Sequence, residues 1–208
     1  MVRVVMAIFV GMTLLSMPRV GYPGWGWGVY HERSFKGKVI DAQTKEPIEG
    51  AVVVARYQTN MWAIVESHTR LTDVQEALTD KKGEFILPSL TKLINPLSVG
   101  YYTYFLIWKP GYKAADVRDD YFFTKEPGTV EDRVVQTDKG FEKKPMRLGI
   151  VELVRVQTDE ERKMALIDPI GEKSDWKKQR QLIKMVRGEW ERITGKPAGN
   201  LYQIGEDN

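Results

Sequence analysis

LTDKKGEFILPSL, residues 78–90, is the stretch on which the reading of this chain turns. A short acidic loop with a glycine, set between apolar runs, fits a metal loop, a phosphate cradle or a chain reversal. An EF-hand calcium loop needs oxygen-bearing side chains at positions one, three and five and glycine at six. Counted from Asp80, position three is Lys82 and position six is Phe85, so the pattern fails. A Walker loop needs a glycine five residues before a Gly-Lys pair. Gly37-Lys38 and Gly195-Lys196 both lack it. What remains is a reversal in which Gly83 takes positive φ, followed by Phe85 and Leu87 alternating with Glu84 and Ile86. The expectation is a β-hairpin.

Strand signals extend on both sides. In FKGKVID (35–41), Phe35, Gly37 and Val39 alternate with Lys36 and Lys38, as in a half-buried strand. A turn-rich connection with Pro47 and Gly50 leads into AVVVARY (51–57), a β-branched run suited to a strand buried on both faces. Residues 58–75 are less regular and read as an insertion. YYTYFLIW (101–108) ends in KPGY (109–112), where Pro110 presets φ and Gly111 suits a type II turn. Residues 117–145 are polar and charged, and read as a second, long insertion. MRLGIVELVRV (146–156) returns to alternation and closes a sheet. Many short strands between turn signals predict a mainly β, antiparallel Ig-like sandwich over 34–156.

Residues 157–208 read as a helical extension. Thr158 and Glu161 form a capping-box pair before ERKMALI. A second helix starts near Ser174. Along it Leu182, Ile183, Val186, Trp190 and Ile193 share one face, and Gly195 is the natural stop. Lys177, Lys178, Arg180, Lys184 and Arg187 colour the opposite face, either as a solvated surface of a helix packed on the sandwich or as a contact for an acidic partner or membrane.

At the other end, Arg3 precedes an uncharged, mostly apolar run from Val4 to Met17. Fourteen helical residues reach roughly 21 Å, short of the roughly 30 Å hydrocarbon core. The expectation is an export signal over residues 1–21, cleaved at an unassigned position or left as an anchor. An arm of glycines and aromatics follows at 22–33. In it Trp25 and Trp27 either dock on a partner or sugar, or cover an open edge of the domain.

The composition narrows the chemistry further. With a formal charge of +3 the chain has no strong nucleic-acid footprint, and with no cysteine it lacks disulfides, thiolate catalysis and thiolate-bound zinc. Its two histidines, His31 and His68, have no histidine partner nearby in sequence. Ser67 and His68 are adjacent, and neighbours on a strand point to opposite faces, which argues against a catalytic pair. Asp116, Asp119 and Asp120 form the densest acidic cluster and read as solvated rather than as an oxygen-ligand metal site.

GKVIDAQTKEPIEGAVVVA, then TDKKGEFILPSL, then WKPGY, in that order, resemble the carboxypeptidase regulatory-like domain, a transthyretin-like (prealbumin-like) β-sandwich. The matching residues are Gly37, Val39 and Asp41; Pro47, Gly50, Ala51 and Val53; Thr79, Asp80, Gly83 and Phe85; and Gly111 with Tyr112. The likeness spans roughly residues 34–116, with 146–156 as the last strand. It implies a non-catalytic structural, adhesive or ligand-binding module of exported and envelope proteins, and no peptidase domain accompanies it. Transthyretin-like hydroxyisourate hydrolases end in Y-R-G-S, whereas this chain ends LYQIGEDN.

The expected function is therefore that of an exported interaction subunit at the cell envelope or periplasm, without cofactor or metal and with another envelope protein as partner. The alternative is a carbohydrate-binding module. Tyr102, Tyr104 and Trp108 share one strand face and would stack on a polysaccharide; the same face serves equally as core. Trp25, Trp27 and Trp190 are the other candidate contacts.

Overall fold

Val52, Val53, Val54 and Ala55 follow one another with no polar side to turn toward water, so a strand carrying them must be covered on both faces. The computed structural model, which describes residues 28–61, 68–94, 98–118, 120–137, 140–199 and 201–202, meets that demand. The four residues open β3 (Val52–Met61) and are fully buried. β3 is internal to an antiparallel sheet with β4 (His68–Leu78) on one side and β7 (Ser98–Trp108) on the other, and β8 (Ala115–Val117) at the edge.

A second sheet centres on β2 (Phe35–Asp41). β5 (Glu84–Leu87) lies antiparallel to β2, and β11 (Ile150–Leu153) lies parallel to it, an exception to the antiparallel expectation. The odd-numbered residues of β3 and β7, such as Val53, Tyr57, Phe105 and Ile107, meet Phe35, Val39, Leu87 and Val151 of the second sheet in one core. The architecture is mainly β, with open sheets around a shared core, consistent with a β-sandwich. Phe123, from a 3₁₀ turn (Asp120–Phe123), packs edge-on against Phe85 and Phe105. Gly37 makes room for this cluster: a Cβ there would stand 2.5 Å from the Phe85 ring.

The even-numbered residues face the other way. Val52, Val54 and Trp108 join Val74, Leu182 and Val186 in a second core beneath a C-terminal helix. The helical segments are α1 (Asp159–Met164), α2 (Lys173–Trp176) and α3 (Arg180–Thr194). Thr158 and Glu161 make the reciprocal capping box, and Gly195 ends α3 at φ 64°. The extension thus packs on the sheet as a third layer.

Several expectations are corrected. The stretch 78–90 is not a hairpin: β4 belongs to the four-stranded sheet and β5 to the three-stranded one, so the loop carries the chain between layers. Thr79 is held on the first layer, accepting from Gly50 N–H and Ala51 N–H and donating to Ile48 C=O. Asp80 accepts from Lys82 and Glu84 N–H and turns the chain, and Gly83 C=O accepts from Val39 N–H on the second layer. Part of the arm is strand: β1 (Val29–Glu32) pairs with β6 (Leu90–Leu93), and Tyr30 enters the core. Of the first insertion, 58–61 and 68–75 extend the β3–β4 pair. The second contains the 3₁₀ turn and a ribbon of β9 (Val130–Thr137) with β10 (Gly140–Arg147). The export segment, Trp25, Trp27, Ser67 and Asp119 lie outside the described residues.

Gly83 has φ 74°, and a Cβ on it would stand 2.4 Å from Val39 O. Gly83→Ala is therefore expected to destabilise the protein by more than about 1 kcal/mol in urea unfolding. An unchanged midpoint would contradict the interlayer role of the loop.

Candidate functional site

The matched motif residues converge on Asp41, the last residue of β2. Its side chain is almost wholly buried and its acceptors are filled. Oδ1 accepts from Gln43 N–H (2.8 Å) and Thr44 N–H (3.0 Å); Oδ2 accepts from Tyr112 Oη (3.1 Å) and Arg155 Nε (2.5 Å). Tyr112 follows the Lys109–Tyr112 turn, where Gly111 has φ 86° and Tyr112 N–H donates to Lys109 C=O. The Thr44 N–H, then the Arg155 guanidinium, hold the Asp41 carboxyl well below the usual carboxylate range despite burial. This joint ties the ends of β2, β7 and β11 together, a structural role.

The outer face of β7 is divided in two. Trp108 is 1% exposed and lies under α3, so it is removed from the proposed stacking platform. Its Nε1 is buried without a hydrogen-bond partner among the described residues. Tyr102 and Tyr104 stay outside the helix's cover, with ring centroids 6.4 Å apart and planes 19° from parallel. Arg56 flanks them, its guanidinium carbon 5.7 Å from the Tyr104 centroid and its Nη2 3.4 Å from Asp116 Oδ1. Asn60 donates to Tyr102 Oη across 3.4 Å. A flat aromatic pair with polar neighbours can stack on a sugar ring.

The division depends on how α3 is fastened. Its first-turn N–H groups have no cap from their own segment. Glu76 of β4 supplies one, accepting from Gln181 N–H (2.9 Å) and Leu182 N–H (3.2 Å), where the helix dipole also favours a carboxylate. Asp73 of β4 is bridged by Lys92 of β6 and by Lys178 just before α3. Burial alone would raise its carboxyl; the two ammonium groups outweigh that and hold it low. At the far end Glu189 is buried against Arg162 (3.1 Å) and Arg192 (2.9 Å), which likewise overcome desolvation.

The β9–β10 ribbon has a different character. Among the described residues it forms no strand ladder with either main sheet. Its register pairs Val130 with Arg147, Asp132 with Pro145, Val134 with Lys143 and Gln136 with Phe141, so Val130, Val134, Phe141 and Pro145 share one face with Asp132, Lys143 and Arg147. Val130, Val134 and Phe141 are 60%, 62% and 77% exposed. The opposite face carries Glu142 and Lys144, 3.4 Å apart, and Glu131, which accepts from Tyr121 Oη. Three large apolar side chains, set among charged ones, are thus turned to solvent. Sequence reading missed this element because its charges mask a weak alternation.

Other candidates are accounted for locally. His31 Nδ1 lies 2.8 Å from Thr91 Oγ1 across the β1–β6 pair. Asp116 pairs with Arg56 and Arg118, and among the described residues no group of three or more His, Asp or Glu could hold a metal ion. Trp190 is half-buried on α3. No family model matches the chain, and no curated protein is similar to it.

Because the folded Asp41 carboxyl titrates below its unfolded value, its contribution is present above roughly pH 4 and lost as pH falls through the folded value. Asp41→Asn is expected to be less stable than wild type at neutral pH, with a gap that narrows below roughly pH 4 in chemical unfolding. A gap independent of pH would contradict the joint.

Proposed function

We propose that the protein is an exported, non-catalytic module of the transthyretin-like, carboxypeptidase regulatory-like kind that serves as an interaction subunit at the cell envelope, engaging a protein partner through the β9–β10 ribbon. The ribbon carries the reading. Isolated two-stranded ribbons are marginal in water, and this one exposes Val130, Val134 and Phe141 rather than burying them in either core. A partner surface that covers Val130, Val134 and Phe141 supplies the missing burial. The outer edges of β9 and β10, which pair with no other strand among the described residues, offer main-chain pairing as well. Support for the fold assignment comes from the roles of its matched residues: Asp41 with Tyr112, Thr79 with Gly50 and Ala51, and Gly83 against Val39. Support for export comes from the apolar run after Arg3.

A carbohydrate-binding role is the second reading. It retains the Tyr102–Tyr104 pair, 44% exposed at Tyr102, and has lost its third ring to the core.

Site-directed photo-cross-linking in intact cells distinguishes the two. A cross-linker at position 141 is expected to capture one dominant protein, and adding Val130→Glu with Val134→Glu to the cross-linker-bearing chain to reduce capture at least about tenfold while leaving the melting temperature within a few degrees. Unchanged recovery in that variant, with loss of polysaccharide retention in Tyr102→Ala/Tyr104→Ala, would reverse the order of the readings.

A further inference from the structure

Near one end of β3 both of its ladders slip within three residues. The pairing with β4 shifts between Tyr57 and Gln58, leaving Thr72 as the extra residue. The pairing with β7 shifts between Thr59 and Asn60, leaving Gly100 as the extra residue, at φ 75°. Such bulges bend strands and re-aim side chains, and they recur beside binding sites. Here they border a cleft of about 190 Å³ between the four-stranded sheet and β6. That is smaller than the roughly 300 Å³ at which sites for drug-sized ligands begin.

The lining has a consistent chemistry. Among the described residues it contains two cations, Arg70 and Lys92, three hydroxyls, on Thr59, Thr72 and Ser98, and aliphatic residues, with no acid among them. Thr59 and Ser98 are each 3% exposed, and Thr72 Oγ1 donates to Thr59 Oγ1 across 3.2 Å. The Ser98 hydroxyl makes no hydrogen bond to a described residue. Lys92 Nζ reaches Asp73 Oδ2 (2.7 Å) and Thr72 C=O (3.3 Å), which leaves one of its three protons to offer. Two ammonium groups share the Asp73 carboxylate, so the Lys92–Asp73–Lys178 group carries +1 (two positive, one negative). Arg70 adds a second positive charge, and among the described residues no carboxylate pairs with it. A guanidinium fork, a half-neutralised lysine and buried hydroxyls together present donors that meet no counter-anion among the described residues beyond the shared Asp73.

We propose that this cleft is a binding site for a small oxyanion, a phosphoryl or carboxylate group, held by Arg70 and Lys92 and oriented by the hydroxyls of Thr59 and Ser98. Leu93 lines the cleft while 85% exposed, and it gives a substituent on that group an apolar surface. The site is distinct from the β9–β10 ribbon and does not depend on the ribbon's partner.

Calorimetric titration of the full chain tests the site, using inorganic phosphate, glucose 1-phosphate and glucuronate against chloride of matched ionic strength. Saturable binding of at least one anion is expected, weakened at least tenfold in Arg70→Gln. The exposed Arg70 makes no described ion pair, so that variant is expected to melt with the wild type. Equal affinity for inorganic phosphate and the sugar phosphate assigns a free ion. Preference for glucose 1-phosphate or glucuronate assigns an acidic group carried on a larger molecule. No saturable binding by any of the three, or binding untouched by Arg70→Gln, overturns the proposal.

Discussion

A strand with no side that tolerates water sets the terms for the rest of this protein. Val52 to Ala55 send alternate side chains into two different cores, and each core needs its own cover. Fully burying a valine or leucine contributes roughly 1.5–3 kcal/mol, so leaving either face of β3 open would forfeit several such contributions. The second sheet covers one face and α3 covers the other. The C-terminal segment is therefore structural in the same sense as the sheets.

The layers are joined by buried carboxylates whose cations or N–H donors come from distant parts of the chain. Asp41 is met by Tyr112 and Arg155, Asp73 by Lys92 and Lys178, and Glu189 by Arg162 along with its neighbour Arg192. Ion pairs of this kind offset their own desolvation only when geometry is good, and their contribution lies more in fixing one arrangement than in net stability. Glu76 acts similarly by completing a helix that cannot cap itself. With β3 covered on both faces, the features left open to solvent include the exposed valines and phenylalanine of the ribbon, the Tyr102–Tyr104 pair and the cationic cleft.

Much of this was legible in the sequence wherever local chemistry and burial point the same way. The two-sided run of β3, the alternation of β2, the Thr158–Glu161 box and the α3 face ending at Gly195 are of that kind. The 78–90 loop was not, because Asp80 and Gly83 serve a hairpin and a crossing between layers with the same local chemistry. Only the long-range contacts to Ala51 and Val39 distinguish the two. The parallel partnership of β11 with β2 has no local signature either. Of the aromatic face, the pattern placed Tyr102, Tyr104 and Trp108 together, but nothing local says that Leu182 and Val186 arrive to bury the last of them. The ribbon and the cleft were missed for a related reason. One hides its alternation among charges, and the other is assembled from two bulges and a third strand.

The claim that β3, both sheets and α3 form one cooperative body is tested most directly by native-state hydrogen exchange. The amides of Val53–Tyr57 and of Leu182–Val186 are expected to exchange with the same free energy, equal to that of global unfolding. Exchange of α3 at a free energy lower by about 2 kcal/mol or more, while β3 stays protected, would show a detachable helix and contradict the claim.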